Sequence, residues 1–165
     1  SGQEASRSAS RTGRVGDGKG RPLHSRRPPV SYELVAHTAD IAVRAKAPSA
    51  GAVFAAVAEG LTAAMCETVP DGTATESLGL RAESLEGLLF DYLDELIYRR
   101  DVEEALLVEH AAEMTPDGAG YRIEASYCTV PLATVTARDI KAVTYSEMVV
   151  EERPDAWHAY VVFDV

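Results

Sequence analysis

The chain has 165 residues, a formal net charge of −10 and a hydrophobic fraction of 46%, which suits one domain with a substantial core. Its two cysteines are too few for a disulfide scaffold, and no run of about 18 apolar residues could span a bilayer. Residues 1–30 also lack the apolar segment of a signal peptide. The sequence therefore predicts a cytoplasmic protein with no membrane contact.

The charge is divided unevenly along the chain. Residues 1–30 carry seven basic and two acidic residues, whereas residues 31–165 carry nine basic and 24 acidic residues, a net charge of −15. The first segment is rich in Ser, Gly, Arg and Pro and has no aromatic residue, which predicts a disordered basic tail before a domain at 31–165. Because phosphate contacts require Lys and Arg, we expect no direct nucleic-acid binding by the folded domain. Such a domain suits a basic protein partner or a bound cation.

Hydrophobic periodicity predicts two helices among short strands. The helices are expected at Ser49–Cys66 and Ser84–Arg100, each with a serine as N-cap. Strands are predicted at Tyr32–Val35, from Ile41 onward, and at Thr73–Glu83, Ala105–Met114, Tyr121–Tyr127, Ile140–Val150 and Trp157–Phe163, with Pro131–Ala137 as a loop or edge segment. The pattern predicts an α+β fold of two layers, with two helices packed on one face of a mainly antiparallel sheet of about six to seven strands.

Carboxylates at two strand ends form the first candidate site. Asp40 lies between the first two predicted strands, and Asp164 follows the last strand, next to the α-carboxylate of Val165. If these strands are neighbours, three carboxylates converge and repel each other unless protons or a cation compensate. Oxygen ligands suit Ca²⁺ or Mg²⁺ better than zinc. The alternative is that Asp40 caps a turn and Asp164 is a solvated end residue.

Two further residues are candidates for a supporting role. His37 lies in the same strand junction as Asp40, and it is either a ligand or an ordinary turn or core histidine. Lys141 stands in an otherwise apolar strand pattern, where it is either a solvent-facing lysine or a cation paired with the acidic cluster. No phosphate loop, dinucleotide-binding motif, zinc-protease motif or nucleophile elbow is present in the sequence.

Four stretches give the sequence a family resemblance over residues 31–165. They are His37-Thr38-Ala39-Asp40-Ile41, Leu88–Leu96, Ile140–Tyr145 and Phe163-Asp164-Val165. In this combination and order the chain resembles an archease. The helical stretch alone would be a weak signal, whereas the first and third stretches are specific together.

The resemblance implies a non-catalytic accessory protein. Archeases assist the RtcB-type RNA ligase, which joins RNA ends in tRNA splicing and RNA repair with GTP and a divalent metal, and they stimulate its guanylylation and multiple turnover. The resemblance places the metal site at Asp40, Asp164 and Val165, with calcium as the expected ion and Mg²⁺ or Mn²⁺ as alternatives. His37 and Lys141 match motif positions of the family and are expected to support the site.

The sequence departs from the family pattern at three places, one of which is Ala47-Pro48, where a glycine is common after the second strand. Ser146 stands where archeases usually have a histidine, and Tyr127-Cys128 stands where they often have a Gly-Glu pair. If those features contact the ligase, this chain is a weaker activator.

Two other functions remain open from the sequence. A small metal-dependent hydrolase or nuclease would use Asp40, His37 and Asp164, but the net charge of −15 offers few groups to clamp a phosphate substrate. A chaperone-like protein-interaction module would instead use the acidic face of the second helix as its docking surface.

Overall fold

The computed structural model describes residues 30–36 and 40–165. The predicted tail up to residue 29 and the candidate His37 lie outside the described residues. The described elements are β1 (Ser31–Ala36), β2 (Asp40–Ala47), α1 (Ala50–Met65), β3 (Ala74–Ala82), α2 (Leu85–Glu103), β4 (Ala105–Asp117), β5 (Gly120–Pro131), a short 3-10 turn (Leu132–Thr134), β6 (Ala142–Glu152) and β7 (Trp157–Asp164). The predicted α+β class with two helices is confirmed within this part of the chain.

The strands divide into two antiparallel sheets, whereas the sequence led us to expect one. The first sheet has the order β1-β2-β7-β6, and the second has the order β3-β5-β4. The turn residues Thr115-Pro116-Asp117-Gly118 and Pro154-Asp155 indicate the hairpins β4–β5 and β6–β7, but they do not reveal which hairpins share a sheet. Only long-range pairing, such as that of β2 with the last strand, determines this division.

Both predicted serine caps start their helices. The Ser49 hydroxyl accepts the Ala52 amide hydrogen bond at 3.1 Å, and the Ser84 hydroxyl accepts that of Gly87 at 3.0 Å. The α2 helix continues past the predicted end at Arg100 to Glu103, and Glu104 closes it in a left-handed conformation with φ 51°. Cap hydrogen bonds of this kind satisfy backbone donors that a helix start leaves open.

The helix α1 lies directly on one face of the first sheet. A Cβ atom added at Gly60 would lie only 2.5 Å from Val43 Cγ1, so the helix backbone approaches β2 closely. The residues of β2 and β7 that point to this side, including Val43, Val161 and Phe163, belong to the hydrophobic core. Because side chains alternate along a strand, the even-numbered residues of β2 and β7 point to the opposite face. We call this the outer face of the first sheet.

Candidate metal centre

The two aspartates selected from the sequence are direct partners across the strand ladder. Asp40 begins β2, Asp164 ends β7, and the two residues are opposite each other in the antiparallel register. Directly opposed residues in such a ladder have Cα atoms about 4.5–5.5 Å apart and side chains on the same face. Both carboxylates therefore lie on the outer face, at one end of the sheet.

The surroundings of the two carboxylates differ. One carboxylate oxygen of Asp40 is shielded from solvent, and Asp164 is exposed. Val165, which carries the predicted third carboxylate, follows immediately and is 42% exposed. This part of the sheet thus combines a partly buried oxygen with accessible ones, a chemistry suited to a hard divalent cation that enters from solvent.

The third strand of this row fixes the position of Asp164 through the main chain. Ala142 at the start of β6 is the register partner of Asp164 on its other side, and the Lys141 amide donates to the Asp164 carbonyl oxygen at 2.9 Å. The Lys141 side chain is exposed, and among the ion pairs within residues 30–36 and 40–165 it forms none. Lys141 therefore lies beside the site with an exposed side chain, which fits the solvent-facing alternative, and its supporting role stays a prediction.

Side chains alone do not complete a metal-binding cluster here. Within residues 30–36 and 40–165, no three side chains of His, Cys, Asp or Glu are grouped so that they could hold an ion. The predicted set contains two such side chains and one main-chain carboxylate, and His37 is outside the described residues. The ligand set of Asp40, Asp164 and Val165 therefore stays a prediction with a compatible geometry.

Three residues of the outer face were not selected from the sequence. Arg44 and Tyr160 are register partners farther along β2 and β7, and the Arg44 guanidinium carbon lies 5.2 Å from the centre of the Tyr160 ring. Glu147 lies in an irregular part of β6 and has φ 57°. An open depression of about 560 Å³ beside Tyr160 is lined by Arg44, Glu147, Val149, Arg153, His158 and Tyr160. In an alternating strand pattern, such residues are expected to face solvent. The one sequence signal of a covered outer face is Ala42, a small apolar residue between Asp40 and Arg44.

Residues 30–36 and 40–165 thus form an α+β arrangement of two helices and seven strands, with opposed carboxylates at one end of the four-stranded sheet. The sequence model of the archease protein family (MTH1598/TM1083) matches residues 32–165, most of the described domain. The chain belongs to the archease family.

Individual archeases are similar in sequence to this chain over most of their length. The Thermococcus gammatolerans protein archease is 31% identical over 139 residues, covering 81% of this chain and 98% of that protein. The Methanosarcina acetivorans protein archease is 32% identical over 143 residues, covering 81% and 95%.

Solved structures share the fold. The solution structure of Methanobacterium thermoautotrophicum protein 1598 matches with a TM-score of 0.72 and 22% identity, covering 81% of this chain and 98% of that chain. The crystal structure of the Thermotoga maritima archease, described as a possible chaperone, matches with a TM-score of 0.54 and 21% identity, covering 86% of this chain and 98% of that chain.

Among the described residues, neither helix has the length and apolar character that a membrane span requires.

Proposed function

We propose that this protein is a metal-binding accessory protein that stimulates guanylylation and multiple turnover of an RtcB-type RNA ligase in tRNA splicing and RNA repair. The observation that carries the proposal is the register pairing of Asp40 with Asp164 in a chain that belongs to the archease family. The protein is not itself the catalyst. Its folded domain has a net charge of −15 and few groups that could clamp an RNA phosphate.

Asp40, Asp164 and the Val165 α-carboxylate would hold the ion, with Ca²⁺ expected and Mg²⁺ or Mn²⁺ as alternatives. Two like charges about 4 Å apart repel by about 4 kcal/mol at an effective dielectric constant of about 20, and a divalent cation converts this repulsion into attraction. When bound, the ion would supply a positive charge at the end of an otherwise acidic domain. Because Asp164 and Val165 are exposed, an ion held there would be accessible to a partner protein.

The test is a reconstitution with the cognate ligase. The unaltered protein is expected to accelerate single-turnover guanylylation and to raise the number of ligation events per ligase molecule. Asp40→Asn and Asp164→Asn remove one charge each with little change in shape, and we expect both to abolish the stimulation. Asp71→Asn, an exposed aspartate in the loop after α1, is the matched control and should stimulate fully.

The same assay separates the proposal from its alternatives. Stimulation that survives both site substitutions would exclude a role for the carboxylate pair. RNA cleavage or joining by the protein alone, without ligase, would favour the hydrolase or nuclease alternative. Failure to stimulate any ligase step, together with suppression of client aggregation, would favour a chaperone-like module.

The exposed face of α2 supports the chaperone-like alternative. On the exposed face of α2, Tyr98 and Val102 are 60% and 61% exposed and lie one helical turn apart. Asp91 and Asp94 share this face. A surface with exposed apolar and acidic side chains fits a protein partner that presents basic and apolar groups. This surface could serve either a general client or the ligase.

A further inference from the structure

An exposed aromatic stack joins α2 to the first sheet. The rings of Phe90 in α2 and Tyr145 in β6 are nearly parallel, with an interplanar angle of 7° and centroids 4.1 Å apart. Phe90 is half-buried, whereas Tyr145 remains 56% exposed. The stack therefore holds the Tyr145 ring in place and leaves part of it open to solvent.

The bulge in β6 accounts for the position of Tyr145. The register of β6 with β7 shifts between Thr144 and Val149, so Tyr145 lies where the ladder is interrupted. Val143, two residues earlier, points into the core, and alternation therefore places Tyr145 on the helix side of the sheet. In the described sheet β6 is an edge strand, so the ring contacts α2 and is otherwise open to a partner. Bulges often redirect side chains beside functional sites.

A stripe along α2 continues this surface away from the stack. Tyr98 and Val102 are 60% and 61% exposed. Asp91 and Asp94 are exposed on the same side of the helix, and Asp94 lies one turn after Phe90. We call the combined region the α2–β6 surface; it consists of Phe90, Asp91, Asp94, Tyr98, Val102 and Tyr145.

The α2–β6 surface carries uncompensated negative charge. The two basic residues of α2 are held in ion pairs, Arg99 with Glu95 at 2.8 Å and Arg100 with Asp101 at 2.8 Å. Within residues 30–36 and 40–165, Asp94 forms no ion pair. A nucleic acid, an anionic lipid surface or a second copy of this acidic domain would bring like charge to the surface. A basic protein segment is therefore the occupant that fits the charge.

We propose that the α2–β6 surface docks an arginine-bearing segment of the partner protein, with one guanidinium stacked on Tyr145 and paired with Asp94. The inference rests on the proposed function, in which that partner is the ligase. A guanidinium is planar and weakly hydrated, so it stacks on an aromatic ring while its edge pairs with a carboxylate, which a lysine ammonium does less well. Tyr98 and Val102 then contact the apolar part of the segment.

The first arm of the test measures the binding of a labelled oligo-arginine peptide to the full chain by fluorescence anisotropy. We expect Tyr145→Ala and Asp94→Asn each to weaken binding by about tenfold, as for the loss of a hot-spot contact. Tyr145→Phe keeps the ring and should bind like the unaltered protein. Val69→Ala and Asp71→Asn, at exposed positions in the loop after α1, are the matched controls. An oligo-lysine peptide of the same length should bind more weakly.

The second arm uses the cognate ligase in the guanylylation assay of the proposed function. Tyr145→Ala and Asp94→Asn should raise the protein concentration needed for half-maximal stimulation by about tenfold. The maximal rate, and the Ca²⁺ affinity measured by calorimetry, should stay unchanged. Asp40→Asn should instead abolish stimulation at every concentration. Far-ultraviolet circular dichroism checks that each variant is folded.

The outcomes distinguish this inference from the proposed function. Unchanged half-maximal concentrations in Tyr145→Ala and Asp94→Asn, with stimulation lost in Asp40→Asn, would overturn the docking surface and leave the ion site intact. Peptide affinities that are equal in these two variants and the unaltered protein would show binding to the overall negative charge and would also overturn it.

Two further outcomes concern the identity of the partner. Self-association of the unaltered protein that disappears in Tyr145→Ala would assign the surface to a second copy and would overturn the proposal. If the ligase is not stimulated at all, the proposed function is wrong, and the peptide arm alone decides whether the surface selects arginine.

Discussion

Asp40 and Asp164 oppose each other across the β2–β7 ladder, although they come from the two ends of the folded domain. The pairing makes the site a product of tertiary structure, since neither residue has another acidic side chain within its own strand. The two carboxylates are therefore brought together only when the first sheet is folded. A cation bound here would join the second strand to the last one and would therefore stabilise the folded chain.

The first prediction follows from this linkage. Ca²⁺ or Mg²⁺ at 100 times its dissociation constant should stabilise the fold by about 2.7 kcal/mol. For a domain of this size each kcal/mol raises the melting temperature by about 2–4 °C. Calorimetric melts with and without the ion measure the effect. Asp40→Asn and Asp164→Asn should remove the ion dependence without unfolding the domain, because each change also relieves repulsion.

The role of Val165 is tested in the same melts. Residues appended after Val165 would move the α-carboxylate away from the carboxylate pair, and the stabilisation by Ca²⁺ should then decrease. The matched control carries the same residues before Ser1. An ion response that is unchanged by the C-terminal extension would remove Val165 from the ligand set.

The position of these residues in the fold could be predicted only in part. The strand ends and the chemistry of Asp40 and Asp164 are local features, so alternation and residue type made them candidates, and the resemblance to archeases then placed the metal site on them. The two-sheet division and the approach of Arg44, Glu147 and Tyr160 depend on register between distant strands, which no local pattern contains. The β6 bulge at Glu147 is an example, because the sequence of one strand does not show where its register with the neighbouring strand will shift.

The third prediction concerns the tail. Residues 1–30 contain no aromatic residue and few large apolar ones, so they can bury little surface. A chain that begins at Ser31 should therefore unfold within about 1 kcal/mol of the full chain. Urea titrations of the two chains provide the comparison. A markedly lower midpoint for the shortened chain would show that the tail packs on the domain.

The fourth prediction tests the close approach of α1 to β2. Replacing glycine by alanine inside a helix normally stabilises it by about 1 kcal/mol. At Gly60, however, the added Cβ would lie 2.5 Å from Val43 Cγ1. We therefore expect Gly60→Ala to destabilise the domain by about 1–3 kcal/mol, the usual cost of overpacking. Because the two effects have opposite signs, a stabilised variant in urea denaturation would contradict the packing described here.

The last prediction concerns acid stability and depends on His110. Its Nε2 atom lies 2.9 Å from the Thr62 hydroxyl and 3.0 Å from the Leu107 carbonyl oxygen, and its amide donates to Glu59 at 2.8 Å. Burial lowers the pKa of His110 from 6.5 to about 4, so the fold favours the neutral ring. The neutral ring therefore contributes to the free energy of unfolding. This contribution is complete above the unfolded pKa of 6.5 and is lost as the pH falls towards the folded pKa of about 4. It amounts to at most about 3 kcal/mol.

Glu59 acts in the opposite direction. Burial raises its pKa, the hydrogen bond from the His110 amide lowers it, and the nearby charge of Glu109 raises it. Because the folded pKa exceeds the unfolded one, protonation of Glu59 stabilises the fold as the pH falls. We expect the unaltered protein to lose stability in urea as the pH falls from about 6.5 towards about 4, and His110→Gln to flatten this loss. His158→Gln is the matched control and should retain it. An unaltered acid response in His110→Gln would show that another group is responsible.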